Sequence, residues 1–336
     1  MKACLFEAKE KYVICDIEKP VPQKDEVLIR VKVVGICGTD IHILKGEYFS
    51  DFPLIAGHEF SGEVVEVGEE VTQFQPGDRV TADPNIFCDK CYFCKINKNN
   101  HCLDSHVVGV TQNGAFAEYV AVSEKGIFSI PDHLSYSEAA LAEPLACVVY
   151  GIRRSGIKPG EKVLIFGAGA IGLLLMSLLK MNGASQVVMV DISQKKLDFA
   201  KKMGASEVIL NNEDGEKKLK AIAPFGFELV ADATGSPRVM ERELQFVEPD
   251  GTFLVFGVAP IGAMMKVEPY DIFRRDIRII GSYAVKKTMQ YSINLLASGK
   301  IQVKNLISST HPLEDFEKGI LDFYHDPDHM KIQIIP

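Results

Sequence analysis

Nothing in the chain marks it for nucleic acid or for a membrane. It has no excess of positive charge: Lys+Arg 37 against Asp+Glu 45 leave a formal net charge of -8. That balance disfavours a general affinity for nucleic acid or anionic lipid and favours solubility. No internal repeat and no compositionally biased segment is present, which sets low-complexity architectures aside. The N-terminal stretch MKACLFEAKEKY contains no uncharged apolar run of signal-peptide length. An uncharged apolar run does extend from Val163 to Leu179, but it falls short of the ~20 residues a membrane helix needs. Glycines break its first half, so a strand turning into a helix describes it better. A cytoplasmic protein with neither membrane nor nucleic-acid partners is expected. In a reducing compartment disulfides are disfavoured for all eight cysteines. Cys4, Cys15 and Cys147 read as small, packed side chains.

What is present is a globular chain of 336 residues, 47% hydrophobic and 24% charged, longer than one hydrophobic core usually organises. Its first 130 or so residues read as β-rich. EVLIRVKVVGIC alternates apolar residues after Pro20 and Pro22, GEVVEVGEEVTQFQPGDRVTA holds two strands about a Pro-Gly-Asp turn, and GAFAEYVAV is a further strand. From about Ser135 the period becomes helical, and after KPGE strands and helices alternate as far as IRIIGSYA. Short Val/Ile-rich strands joined by helices predict a buried parallel sheet. The expectation is an α/β protein with a β-rich domain and a doubly wound one at 146–284. The remainder, 285–336, is too small to stand alone and is expected to pack back on another domain.

In VLIFGAGAIG, Gly167, Gly169 and Gly172 form a G-x-G-x-x-G array directly after a strand and opening a helix, and Asp191 closes the next strand. The first glycine makes the turn, the second admits a pyrophosphate, and the third lets helix and strand pack closely. A carboxylate at Asp191 accepts from a ribose 2′-hydroxyl and repels a 2′-phosphate, which favours NAD over NADP; Lys196 nearby works against strictness.

Cys88, Cys91, Cys94 and Cys102 follow C-x2-C-x2-C-x7-C within residues 85–102. Four thiolates suit tetrahedral zinc, whereas a ferredoxin run would end C-x3-C-P. His101 is a ligand in principle, but four cysteines already fill the shell. A closed shell has no place for substrate, so this zinc is expected to be structural, and the chemistry must lie elsewhere.

Three further segments carry metal-ligand types: GICGTDIH with Cys37, AGHEFSGEVVEVG with His58 and Glu59, and AEPLA with Glu143. Taken in this order with the glycine array and the cysteine lobe, they resemble the zinc-dependent medium-chain alcohol dehydrogenases, in their polyol branch, across essentially the whole chain. The resemblance implies a split, GroES-like catalytic domain from 1–145 and 285–336 around a Rossmann domain. It implies a second, catalytic zinc held by Cys37 and His58, with Glu59 a ligand or near-ligand and Glu143 acting directly or through water. Thr39 and His42 match the family's hydroxyl–ribose–imidazole relay, and Ile171, Gly257, Val258 and Tyr283 are implied as further contacts to NAD(H). The expected substrate is a small polyol or other secondary alcohol, oxidised to a ketone. Ile43, Ala284 and Val285 depart from the sorbitol-type pattern, and Arg274, Arg275, Lys286 and Lys287 leave a phosphorylated polyol open. A threonine-type amino-alcohol dehydrogenase and a non-catalytic NAD-binding protein are the alternatives. A homo-oligomer, dimer or tetramer, is expected through the sheet edge near GTFLVFGV.

Overall fold

The computed structural model describes residues 1–336. The chain divides into two compact units, Met1–Ala146 with Val285–Pro336, and Cys147–Ala284.

In the first unit, β1 (Lys2–Ala8) pairs with β2 (Lys11–Asp16). The long strand β3 (Glu26–Ile36) leads directly into the short helix α1 (Gly38–Leu44). After β4 (Leu54–Ile55) come β5 (Glu59–Val67) and β6 (Arg79–Ala82). β7 (Asn85–Ile86), α2 (Tyr92–Lys95) and β8 (His106–Val107) belong to the cysteine lobe. β9 (Tyr119–Ser123), β10 (Ile127–Ser129), α3 (Tyr136–Ala139) and α4 (Ala142–Ser155) follow, and the boundary between the units falls inside α4.

The second unit begins its sheet with β11 (Lys162–Phe166), α5 (Ala170–Met181), β12 (Gln186–Asp191), α6 (Gln194–Lys202) and β13 (Glu207–Leu210). It continues with α7 (Glu213–Ile222), β14 (Phe227–Asp232), α8 (Pro237–Glu243), β15 (Val247–Val255), α9 (Pro269–Arg275) and β16 (Arg278–Gly281). The strand order is β13-β12-β11-β14-β15-β16, every pair parallel, which is the doubly wound order of a dinucleotide-binding sheet. The apolar run at 163–179 becomes β11, the glycine turn and α5, whose leucines are buried against the sheet. No helix of the chain is long and apolar enough to cross a membrane. One detail differs from the sequence reading: β15, which carries GTFLV, lies inside the sheet, and the edge on that side is β16, with β13 at the other end.

The C-terminal segment adds α10 (Met289–Ala297), β17 (Ile307–Pro312), α11 (Phe316–His325) and β18 (Lys331–Ile335) to the first unit. Strand β18 pairs antiparallel with β3, extending the sheet β10-β6-β5-β3-β18-β17. Phe316, fully buried, meets Phe116 at a centroid distance of 4.9 Å and Phe6 at 6.1 Å, both edge-on. Aromatic contacts of this kind add to the ~2–3 kcal/mol of burying such a ring, and they tie the segment to the β-rich core.

Candidate active site

Three strand ends converge on one point. Cys37 follows the last residue of β3, His58 precedes the first residue of β5, and Lys331 opens β18. The β3–β5 register sets Gly35 opposite Glu59, and the β18–β3 register sets Gln333 opposite Gly35. Cys37, His58 and Glu59 thereby bring a thiol sulfur, a ring nitrogen and a carboxylate oxygen within 4.8 Å of one another. His58 and Glu59 are buried and Cys37 partly so. Gly35 leaves the needed space: a Cβ there would lie 2.4 Å from Glu59 Oε2 and 3.3 Å from Lys331 Cδ.

Two residues that the sequence reading did not single out complete the surroundings. Asp40, fully buried in α1, accepts from the N–H groups of Cys37 at 2.8 Å and Gly57 at 3.2 Å. Its Oδ1 is also 3.3 Å from His58 Nδ1, an ion-pair distance without the alignment of a hydrogen bond. Lys331 donates to both oxygens of Glu59, at 2.6 and 2.8 Å, and to the Ile36 carbonyl at 3.2 Å. Burial by itself disfavours the charge on this lysine, but the negative charge of Glu59, then of Cys37, more than offsets it, and its pKa is raised. For His58 burial likewise opposes the charge, while Asp40 and Cys37 outweigh it and raise the pKa well above the usual value. A buried imidazole in a pocket of anionic groups is a place that calls for a cation, and S, N and O donors together suit zinc. The residues present fit such an ion.

Glu143 stands in the first turn of α4, buried, outside this triplet of donors, though its charge acts on Lys331. Thr39 and His42 lie three residues apart on α1, a spacing that places both on one helix face.

In the second cluster the sulfurs of Cys88, Cys91, Cys94 and Cys102 lie within 4.8 Å of one another. Cys88 and Cys102 are 3.4 Å apart and Cys91 and Cys102 3.9 Å, too far for disulfides. Tetrahedral zinc with ~2.3 Å bonds to sulfur sets sulfurs about 3.8 Å apart, so the spacing fits that ion. Backbone N–H groups of Leu103 and Cys94 lower the Cys91 pKa to about 6, readying it as a thiolate. His101 packs against Phe93 and is not among the four donors.

In the Cys147–Ala284 unit, Gly167 adopts φ 99 and a Cβ at Gly172 would lie 1.8 Å from the Gly167 carbonyl, so both positions require glycine. Gly169 caps α5 and Ile171 lies in its first turn. Asp191 is held in place: its carboxylate accepts from the N–H groups of Ala168 at 2.6 Å and Ser193 at 2.8 Å. Lys196 gives its backbone N–H to Ser193 Oγ at the start of α6. The loops after β14 and β15 press together, a Cβ at Gly257 falling 2.2 Å from the Gly235 nitrogen. Asp232 organises both, accepting from Thr234 and Gly235 while its carbonyl accepts from Gly257 N–H at 2.9 Å. Val258 and Tyr283 expose about half and somewhat less of their surface beside these loops. Arg275 is committed to its own unit, donating to Asp271 and to the carbonyls of Val247 and Leu244.

Comparison with known proteins decides the family. Residues 23–132 match the alcohol dehydrogenase GroES-like domain and residues 170–298 match the zinc-binding dehydrogenase family. The chain belongs to the zinc-dependent medium-chain alcohol dehydrogenases. As a whole it is 36% identical to D-arabinitol dehydrogenase 1 of Uromyces fabae, over 100% of this chain and 97% of that one. It is 37% identical to D-altritol 5-dehydrogenase of Agrobacterium fabrum, over 99% of each. A zinc-binding dehydrogenase from Sinorhizobium meliloti, solved bound to NADP, superposes with a TM-score of 0.93 at 33% identity, covering 100% of this chain and 99% of that one. As a member of this family, the chain is a zinc-dependent alcohol oxidoreductase using a nicotinamide dinucleotide.

Proposed function

We propose that this medium-chain dehydrogenase oxidises a polyol, or a similar secondary alcohol, to a ketone with NAD. The observation that carries the reading is the buried convergence of Cys37, His58 and Glu59, two of whose neighbours, Asp40 and Lys331, are charge partners rather than packing. Cys37 and His58 are assigned as zinc ligands, with Glu59 and Glu143 as the carboxylates that complete the site directly or through water. A zinc ion held by these residues would supply Lewis acidity to an alcohol bound beside it, and the nicotinamide would be the hydride acceptor. Asp40 orients the imidazole of His58, and Lys331 neutralises Glu59 so that its charge does not stand unpaired in the site. The hydroxyl of Thr39 and the imidazole of His42 carry the alcohol's proton outward. The glycine turn at Gly167, Gly169 and Gly172, with Ile171, Gly257, Val258 and Tyr283, is assigned to the cofactor. Asp191 favours NAD, since a 2′-phosphate would meet its carboxylate.

The polyol assignment draws on the relatives named for D-arabinitol and D-altritol. The cysteine lobe is assigned a structural zinc, giving two per chain, and the protein is assigned to the cytoplasm, where thiols are kept reduced and available as ligands. A homo-oligomer is assigned to the free edge of β16, where Ile279 and the nearby Tyr270 and Phe273 are exposed. The test is initial-rate reduction of NAD and of NADP across polyols, phosphorylated polyols, L-threonine and simple secondary alcohols, with and without a zinc chelator. A chelator-sensitive rate confined to polyols with NAD is expected. A preference for L-threonine, or no rate from zinc-loaded protein on any of them, would overturn the assignment.

A further inference from the structure

A proton relay through His42 needs one ring nitrogen to accept, and the other ring nitrogen has a partner of its own. Nδ1 lies 2.9 Å from Oε2 of Glu47, five residues on. The sequence gives a reason why this carboxylate is there. Helix α1 ends at Leu44, and Gly46 turns the chain with φ +66. Gly46 N–H then reaches the Ile43 carbonyl and Glu47 N–H the His42 carbonyl, both at 2.8 Å. This paired 5→2 and 6→1 pattern terminates a helix through a left-handed residue at the position just past its cap. It also folds residue 47 back over residue 42, so one backbone bond and one side-chain bond join the same two residues. The backbone bonds alone suffice to end the helix, which leaves the Glu47 side chain available for another task.

The Glu47 carboxylate has a pKa lowered chiefly by the His42 hydrogen bond, with Lys45 and Lys9 adding to the effect, and is ionised at neutral pH. An ionised carboxylate only accepts, so the shared proton belongs to Nδ1. In a neutral imidazole the other nitrogen, Nε2, then carries the lone pair.

We propose that Glu47 is a positioning residue for proton exit: it accepts the Nδ1–H of His42 and so fixes the tautomer whose Nε2 is free to take the proton. The proposal rests on the relay reading of His42. The proton that leaves the alcohol bonds to Nε2 and passes from there to water, while the Nδ1–H bond is kept throughout. With Glu47 absent, the ring can turn over or change tautomer and present an N–H where an acceptor is needed.

The test combines a spectroscopic and a kinetic readout on the intact, zinc-loaded protein labelled with 15N-histidine. Two-bond proton–nitrogen correlation spectra at pH 8 report which nitrogen of each neutral ring is protonated, and His42 is assigned by its loss in His42→Asn. The expected result is Nδ1 protonated in the parent and Nε2 protonated in Glu47→Ala. In that variant kcat for alcohol oxidation falls about tenfold while KM and the Kd for NADH stay within about twofold. Glu47→Gln, whose amide oxygen still accepts from Nδ1–H, should keep the parent tautomer and recover most of kcat. A parent ring protonated on Nε2, or a Glu47→Ala protein with unchanged tautomer and kcat, overturns the proposal. A Glu47→Gln protein that keeps the tautomer yet remains as slow as Glu47→Ala overturns it too. If instead His42→Asn turns over at the parent rate, the relay reading itself fails and takes the proposal with it, an outcome distinct from the others.

Discussion

A lysine with 7% of its side chain exposed is tolerable at position 331 because two oxygens of Glu59 meet it. Removing one partner of such a pair leaves the other charge buried and uncompensated, a loss of about 3–5 kcal/mol. Lys331→Met should therefore lower the melting temperature clearly, and the double variant with Glu59→Gln should recover part of the loss; equal melting of Lys331→Met and the parent would contradict the pairing. A second buried carboxyl behaves differently. Glu243 is fully buried with no donor to either oxygen, and burial first, then the charge of Asp232, lifts its pKa to about 10 from the usual 4.5. Between those values the unfolded chain has released a proton that the folded chain keeps, so this group makes stability fall as pH rises. Glu243→Gln removes that slope of up to about 1.4 kcal/mol per pH unit. Its melting temperature should exceed the parent's at pH 8, with the difference shrinking toward pH 5; a difference independent of pH would contradict the assignment. Residue by residue, the sequence made visible the ligand types that recur in short motifs, such as Cys37 and His58. It hid Lys331, whose partner Glu59 is 272 positions away. The one available signal was a charge opening an isoleucine-rich strand, KIQII. Asp40 stood inside the GICGTDIH segment but needed the fold to show it reaching Gly57 and His58.

Among the elements, the glycine turn was legible because its cause is local: a strand, a forced left-handed Gly167 and a helix follow one another within about ten residues. The convergence of β3, β5 and β18 was not, since β18 is about 300 residues from β3, with no connecting turn to announce the pairing. An alternating pattern says which face is buried but not which distant strand it lies beside. The same holds for the sheet edge. GTFLVFGV has the apolar character of a strand, but nothing local says that β16 closes the sheet beyond it. Two predictions belong here. Phe316→Ala should cost about 3–5 kcal/mol by opening a cavity against Phe6 and Phe116, read by thermal or urea unfolding; a cost below 1 kcal/mol would mean that the C-terminal segment is anchored elsewhere. Ile279→Lys places a charge on the free edge strand and should reduce the light-scattering mass toward one chain of 37.1 kDa without loss of fold. An unchanged multimer would place the interface away from β16.

In the molecule as a whole, two separate groups of metal-ligand side chains occupy different settings. Cys37, His58 and Glu59 sit where three strands of the β-rich unit end, whereas the four cysteines are held by a lobe of short elements. A closed set of four thiolates contributes to folding, and an open set contributes to chemistry. The most direct measurement is zinc per chain, by atomic emission, alongside melting temperature and NADH binding for the parent, Cys37→Ser and Cys91→Ser. About two zinc ions are expected in the parent. Cys37→Ser should lose one of them and all turnover while melting and binding NADH as the parent does, and Cys91→Ser should melt at a lower temperature. A Cys37→Ser protein that keeps its full zinc content and its activity, or a Cys91→Ser protein that melts as the parent does but is inactive, would contradict this division of roles.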